Sequence, residues 1–93
     1  MKTIFVLMLQ PTAPAYVCFI KEEEAHEKIE QKNVKIYDIP DLILSWSEKY
    51  DTYNVRLIGD IPFTQNMVKQ VQAKEIVKYN ESKINFKLGR IGD

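Results

Sequence analysis

The residues best suited to chemistry in this sequence are two aspartates, each of which follows a predicted strand. Asp60 follows residues 54–58 across one glycine, and Asp38 follows residues 34–37 directly. Side chains at the carboxyl ends of parallel strands face the crevice in which open α/β sheets bind ligands. Two carboxylates on adjacent strand ends could hold Mg²⁺ or act as an acid–base pair. Capping is the competing interpretation, because Asp is also favoured in turns and at helix N-termini.

No metal site is expected around the single histidine. His26 stands between Glu22 and Glu30 at four-residue steps along a predicted helix. An imidazole and two carboxylates suit a divalent ion, but three ligands in a line along one helix do not converge on one point. The pattern therefore predicts a solvated acidic helix face that binds no metal.

Nucleophilic and nucleotide-dependent chemistry are not expected either. The chain has one histidine and one cysteine, and Cys18 lies in an apolar run, so neither a Ser-His-Asp nor a Cys-His arrangement can be assembled. The three glycines match neither of the Gly-rich patterns that bring a backbone close to nucleotide phosphates. We therefore predict no cofactor, and no catalytic candidates other than Asp60 and Asp38.

Charge and composition argue against a nucleic-acid partner. Thirteen basic and thirteen acidic side chains cancel, so no overall field attracts a polyanion. Eleven of the basic residues are lysines, whereas base edges and phosphates are recognised best by arginine. The lysine-rich C-terminal third, residues 69–87, keeps a nucleic-acid accessory role open as an alternative.

Length and hydropathy indicate one small domain without a membrane partner. The 93 residues approach the roughly 100 to 150 that are usual for a compact domain. No segment reaches the roughly 18 consecutive apolar residues of a membrane span. The lone cysteine fits a reducing cytoplasm, and the many Ile, Lys and Asn residues suggest a bacterial or phage coding sequence.

The predicted elements form an α/β domain with a mixed sheet of about five strands and two or three helices. Strands are predicted over residues 3–9, 16–20, 34–37, 54–58 and 83–88, and helices over 21–33, 41–50 and 64–79. This order is an N-terminal β-hairpin followed by βαβαβ. Two interpretations of residues 75–79 are possible: they form the end of the last helix, or they form a strand that makes a hairpin with residues 83–88.

The order of three early strands, a helix, a strand, a helix and a strand is similar to the ribonuclease H-like nuclease and integrase superfamily. The resemblance implies a metal site with one acid on the first strand and another at the end of the fourth, where Asp60 stands. The first strand, residues 4–9, contains no acid, and the helix predicted near residues 22–32 would be an insertion. The resemblance therefore implies a relative without activity. A metal-dependent enzyme using Asp60 and Asp38 is the alternative.

Without a catalytic set, the sequence predicts a non-enzymatic protein that binds another protein or a second copy of itself. Trp46 and Tyr50 share the apolar face of the helix over 41–50 and are candidates for an interface, although this spacing also suits a core. An exposed edge of the third or fifth strand could also accept a partner strand.

Overall fold

The structure, a computed structural model, describes residues 2–7, 15–21 and 27–90. The elements in chain order are β1 (Lys2–Leu7), β2 (Ala15–Lys21), β3 (Glu27–Val34), a 3₁₀ turn (Ile36–Asp38), α1 (Ile39–Lys49), β4 (Asn54–Ile58), α2 (Ile61–Tyr79) and β5 (Asn85–Gly89). The segment between the first two predicted strands, residues 10–15, lies outside the described residues except for Ala15.

The strands form one sheet in the order β3-β2-β1-β4-β5. β2 pairs antiparallel with both β1 and β3, whereas β4 pairs in parallel with β1 and with β5. Among the described strands, parallel pairing involves β1, β4 and β5. β3 and β5 form the two edges of the sheet.

The predicted fold class, an N-terminal β-hairpin followed by βαβαβ, is wrong. Residues 27–33, for which the charge pattern predicts a helix, belong to β3. Residues 36–37 of the predicted third strand lie instead in the 3₁₀ turn. The described residues therefore contain a strand where a crossover helix is expected. Helix propensity differences among ordinary residues amount to at most about 0.7 kcal/mol per residue, and pairing along β2 outweighs them. An edge strand also tolerates a charged sequence.

α1 begins two residues before its predicted start at Asp41. Pro40 stands in its first turn, where the missing backbone N–H leaves no helical hydrogen bond unmade. The buried face includes Ile39, Ile43 and Trp46, at the spacing of an amphipathic helix. Apolar periodicity thus predicts this helix correctly, apart from its first turn.

α2 continues as a helix to Tyr79, so the alternative hairpin over residues 75–88 is wrong. The helix ends at Asn80, whose φ of 59° is a left-handed conformation that asparagine tolerates better than most residues. The helix begins at Ile61, three residues before its predicted start at Thr64, and the Thr64 hydroxyl donates to the Ile61 carbonyl at 3.0 Å. No helix in the described part of the chain is long and apolar enough to cross a membrane.

Both α-helices pack on the same face of the sheet. The core joins buried side chains from the sheet and both helices: Ile4, Val6, Ile39, Ile43, Leu44, Trp46, Val55, Leu57, Met67, Val71 and Ile84. Along β4, Val55 and Leu57 are buried beneath the helices. Arg56 between them is half-buried and points to the opposite face, because side chains alternate along a strand.

Candidate functional site

Asp60 lies beyond the end of β4, as the sequence predicts. It occupies the N-cap position of α2, where its backbone carbonyl accepts a 2.9 Å hydrogen bond from the Thr64 N–H. Its carboxylate is exposed and makes no capping hydrogen bond. A surface pocket of about 260 Å³ lies between residues 59–62 and Arg90. Asp60 therefore has an arginine beside its pocket, and among the described residues no second acid lines it.

Asp38 does not lie near Asp60. Asp38 precedes α1 and makes no side-chain capping hydrogen bond. Asp41, one turn further on, forms a 3.1 Å ion pair with Lys74. Lys74 is about 20 Å along α2 from Asp60, at the helical rise of about 1.5 Å per residue. β3 and β4 are also not adjacent, because β2 and β1 lie between them. The two carboxylates therefore cannot share an ion or a proton.

Of the predicted acidic helix face around His26, the structure describes only Glu30. His26 and Glu22 lie outside the described residues, whereas Glu30 belongs to β3. Within residues 2–7, 15–21 and 27–90, no group of three acidic, histidine or cysteine side chains could hold a metal ion.

The two aromatic interface candidates, Trp46 on α1 and Tyr50 at its C-cap, face the core. Trp46 is only 2% exposed and forms part of the core. Tyr50 is half-buried and packs against the same core. Their shared face on the helix is therefore directed at the sheet and α2, so a partner could reach little of the Trp46 ring.

The lysine-rich C-terminal third does not form one continuous cationic face. Three of its lysines pair with acidic side chains: Lys74 with Asp41 at 3.1 Å, Lys78 with Glu48, and Lys83 with Glu81 at 3.8 Å. Lys69 and Lys87 form no ion pair with the described residues, and they lie on α2 and β5 respectively. A nucleic-acid strand would therefore meet mixed charges along this surface, which weakens electrostatic attraction.

β5 is an edge strand with open backbone hydrogen-bonding groups. The Asn85 N–H donates to the Tyr53 carbonyl at 2.7 Å, and the Gly89 carbonyl accepts from the Gly59 N–H at 3.0 Å. These groups point towards β4. Because successive residues alternate, the N–H and C=O groups of Phe86 and Leu88 point outward, away from β4. This edge therefore offers two donors and two acceptors to a further strand.

An open groove of about 720 Å³ runs between α2 and β5. Its floor is apolar and consists of Val68, Ile84, Phe86 and Leu88. Its rim is polar and consists of Gln65, Lys69, Gln72 and Asn85. Three of the floor residues are only half-buried, although they pack against the core. Apolar side chains that are partly open to solvent thus lie beside the outward backbone groups of the same strand. This groove and the outer edge of β5 are together called the β5 edge below.

Glu75 holds the loop that leads into β5. It is fully buried, and its carboxylate accepts hydrogen bonds from the backbone N–H groups of Lys83 at 2.7 Å and Ile84 at 2.9 Å. The Ser82 hydroxyl lies 3.4 Å from its second oxygen. Sequence reasoning assigns Glu75 no role. An acid among core residues at helical spacing is the signal for a buried polar contact.

A second polar cluster joins the C-terminal ends of α1 and α2. The Tyr79 hydroxyl donates to the Glu48 carboxylate, which also pairs with Lys78. The hydrogen bond from Lys78, followed by that from Tyr79, lowers the pKa of Glu48. Burial, followed by the hydrogen bond to Glu48, raises the pKa of Tyr79. The Tyr79 phenol therefore stays protonated at neutral pH, and its hydrogen bond to Glu48 links the ends of the two helices.

Replacing Glu48 with Gln should remove an acid-sensitive part of the stability. The pKa of Glu48 in the folded chain lies below its ordinary value of 4.5. Its stabilisation is therefore present above that value and is lost as the pH falls through the folded pKa. We expect wild type to be more stable than Glu48→Gln at neutral pH, and the difference to shrink in acid. Urea unfolding at neutral pH and in acid measures this difference in stability, with Glu81→Gln at an exposed residue as the control. A stability difference between wild type and Glu48→Gln that is equally large in acid would contradict this account.

The sequence matches no protein-family model, and no curated protein is similar to it. The resemblance to the ribonuclease H-like superfamily therefore rests on element order. The observed order is three strands, a helix, a strand, a helix and a strand, apart from the short 3₁₀ turn. β1 contains no acid, so Asp60 lacks the companion carboxylate that this resemblance requires.

Proposed function

We propose that the protein is a non-enzymatic module that binds another protein by accepting an extended segment at the β5 edge. The observation that supports it is the coincidence of outward N–H and C=O groups at Phe86 and Leu88 with the apolar groove beside them. In this mode of recognition, main-chain hydrogen bonds supply affinity, and pockets for alternate side chains supply specificity.

The energetics are those of weak to moderate recognition. A typical intramolecular hydrogen bond contributes about 0.5–1.5 kcal/mol net, and four backbone groups are open at this edge. Covering the groove floor adds a contribution of about 25 cal/mol for each Å² of apolar surface removed from water. Ordering the incoming segment opposes both contributions. A cytoplasmic location is part of the proposal, supported by a lone cysteine that suits a reducing compartment.

The experiment compares wild type, Leu88→Pro and Val77→Ser as immobilised baits in a lysate of the native host. Proline at position 88 removes an outward N–H without removing a bond to β4, and edge strands tolerate proline when the lost N–H faces solvent. Val77 is also apolar and is 89% exposed on α2, so Val77→Ser is a matched surface control.

We expect wild type and Val77→Ser to retain the same protein and Leu88→Pro to lose it. Leu88→Pro should remain folded with a lower melting temperature, because the Leu88 side chain packs against the core. Light scattering of the free chain shows in parallel whether two copies associate through this edge. Retention by Leu88→Pro, or loss in Val77→Ser alone, would count against the β5 edge as the binding site.

A further inference from the structure

Two cations lie side by side on the face of the sheet opposite the helices. Lys87 of β5 is exposed, and its register partner on β4 is Arg56. Since Phe86 and Leu88 line the groove on the helix side, Lys87 between them projects to the opposite face, as Arg56 does. An anionic side chain on the outer side of β5 would therefore lie beside the exposed Lys87.

The groove side of the same edge is also positive. Lys69 is the only charged side chain among the described residues that line the groove. Neither Lys69 nor Lys87 forms an ion pair with the described residues, so both are available to an incoming segment. A partner approaching the β5 edge therefore meets a cation on each face of the strand.

Charge also disfavours a second copy of the chain as the occupant. When two β5 strands pair antiparallel so that all five residues of each overlap, Lys87 stands opposite Lys87. The outward groups of Phe86 and Leu88 would form the hydrogen-bonded pairs. Lys87 would then occupy a non-hydrogen-bonded pair, in which Cα atoms approach to about 4.5 Å and side chains lie closest. Two ammonium groups there would oppose pairing.

We propose that the segment accepted at the β5 edge is an acidic extended strand of a partner protein. It carries a carboxylate opposite Lys87 and apolar side chains opposite Phe86 and Leu88. The apolar residues enter the groove, and the carboxylate lies beside Lys87 on the other face. This inference rests on the proposed function and adds the chemistry of the partner to it.

The test is an NMR titration of the full ¹⁵N-labelled chain with two capped synthetic peptides of about six residues. Their centres are Val-Glu-Val and Val-Lys-Val. We expect the amides of Phe86 and Leu88 to shift, and Val-Glu-Val to bind wild type about three- to tenfold more tightly. Lys87→Glu should reverse this order. Lys69→Glu changes the net charge by the same amount on the groove rim and should preserve the order.

Each outcome separates this inference from the proposed function. Equal binding of both peptides at Phe86 and Leu88 would overturn the acidic partner and leave the proposed function standing. The absence of any response at these two amides would overturn both. A dimer that Leu88→Pro dissociates would identify a second copy as the occupant and would overturn the acidic partner. If Lys87→Glu lowers the melting temperature, Lys87→Gln replaces it and should abolish the preference.

Discussion

Glu75→Ala is expected to lower the free energy of unfolding by about 3–5 kcal/mol. The substitution leaves the N–H groups of Lys83 and Ile84 without their acceptor, and the Glu75 side chain is fully buried. Hydrogen bonds to charged groups contribute roughly 1.5–3 kcal/mol each, and a buried donor without a partner loses its full solvation. The loss is a large fraction of the roughly 5–15 kcal/mol that stabilises a typical domain.

Urea unfolding of wild type, Glu75→Ala and Glu75→Gln measures this effect. The amide oxygen of Gln can still accept a hydrogen bond, so we expect Glu75→Gln to lose only about 1–2 kcal/mol. Glu81→Ala, in the exposed loop nearby, should change stability by less than about 0.5 kcal/mol. A loss below about 1 kcal/mol in Glu75→Ala would show that water can replace the carboxylate.

The same variants test how β5 is held in place. Glu75 bonds the two residues that precede β5, so its loss should loosen the start of that strand. We expect faster hydrogen exchange at Asn85 in Glu75→Ala, because this N–H bonds to Tyr53 at the beginning of the β4–β5 ladder. Unchanged exchange there would mean that pairing with β4 alone positions the edge strand.

Trp46→Ala is expected to cost about 3–5 kcal/mol of stability, the range for truncating a large aromatic residue in a core. Trp46 is 2% exposed and packs with the apolar residues of both helices and the sheet. Its removal takes apolar surface out of the core and leaves a cavity that the surrounding residues fill only in part. In a domain this small, the variant should melt at a clearly lower temperature.

Thermal and urea unfolding measure the Trp46 effect, with Tyr37→Ala as the control. Tyr37 is 86% exposed, so we expect its truncation to change stability by less than about 0.5 kcal/mol. The helical spacing of Trp46 suits either a core residue or an interface residue. The stability of Trp46→Ala distinguishes these roles, because a core aromatic stabilises the free chain and an interface aromatic does not. A Trp46→Ala variant as stable as wild type would assign Trp46 to an interface.

Periodicity predicts the elements that bury one face. β4 is predicted with its observed bounds, and α1 and α2 are predicted except in their first turns, because apolar spacing records which side meets the core. Periodicity does not predict β3. Its charged sequence follows a helical pattern, and only the antiparallel pairing with β2 makes it a strand.

The candidate site is likewise predicted only in part from the sequence. Sequence reasoning correctly places Asp60 beyond β4. That an outer strand accepts a partner stays a prediction. It pairs Asp60 with Asp38 on the assumption that their strands are neighbours. The observed order inserts β2 and β1 between β3 and β4, so the pair is not formed.

Local pattern alone determines the apolar faces of α1 and α2, the buried residues of β4 and the absence of an acid on β1, because each is a property of neighbouring residues. Tertiary structure alone decides which strands lie at the edges of the sheet and that a groove lies between α2 and β5. It also decides that Glu75 reaches the backbone of Lys83 and Ile84. These features join residues far apart in sequence, and their energies depend on burial and pairing that exist only once the sheet has assembled.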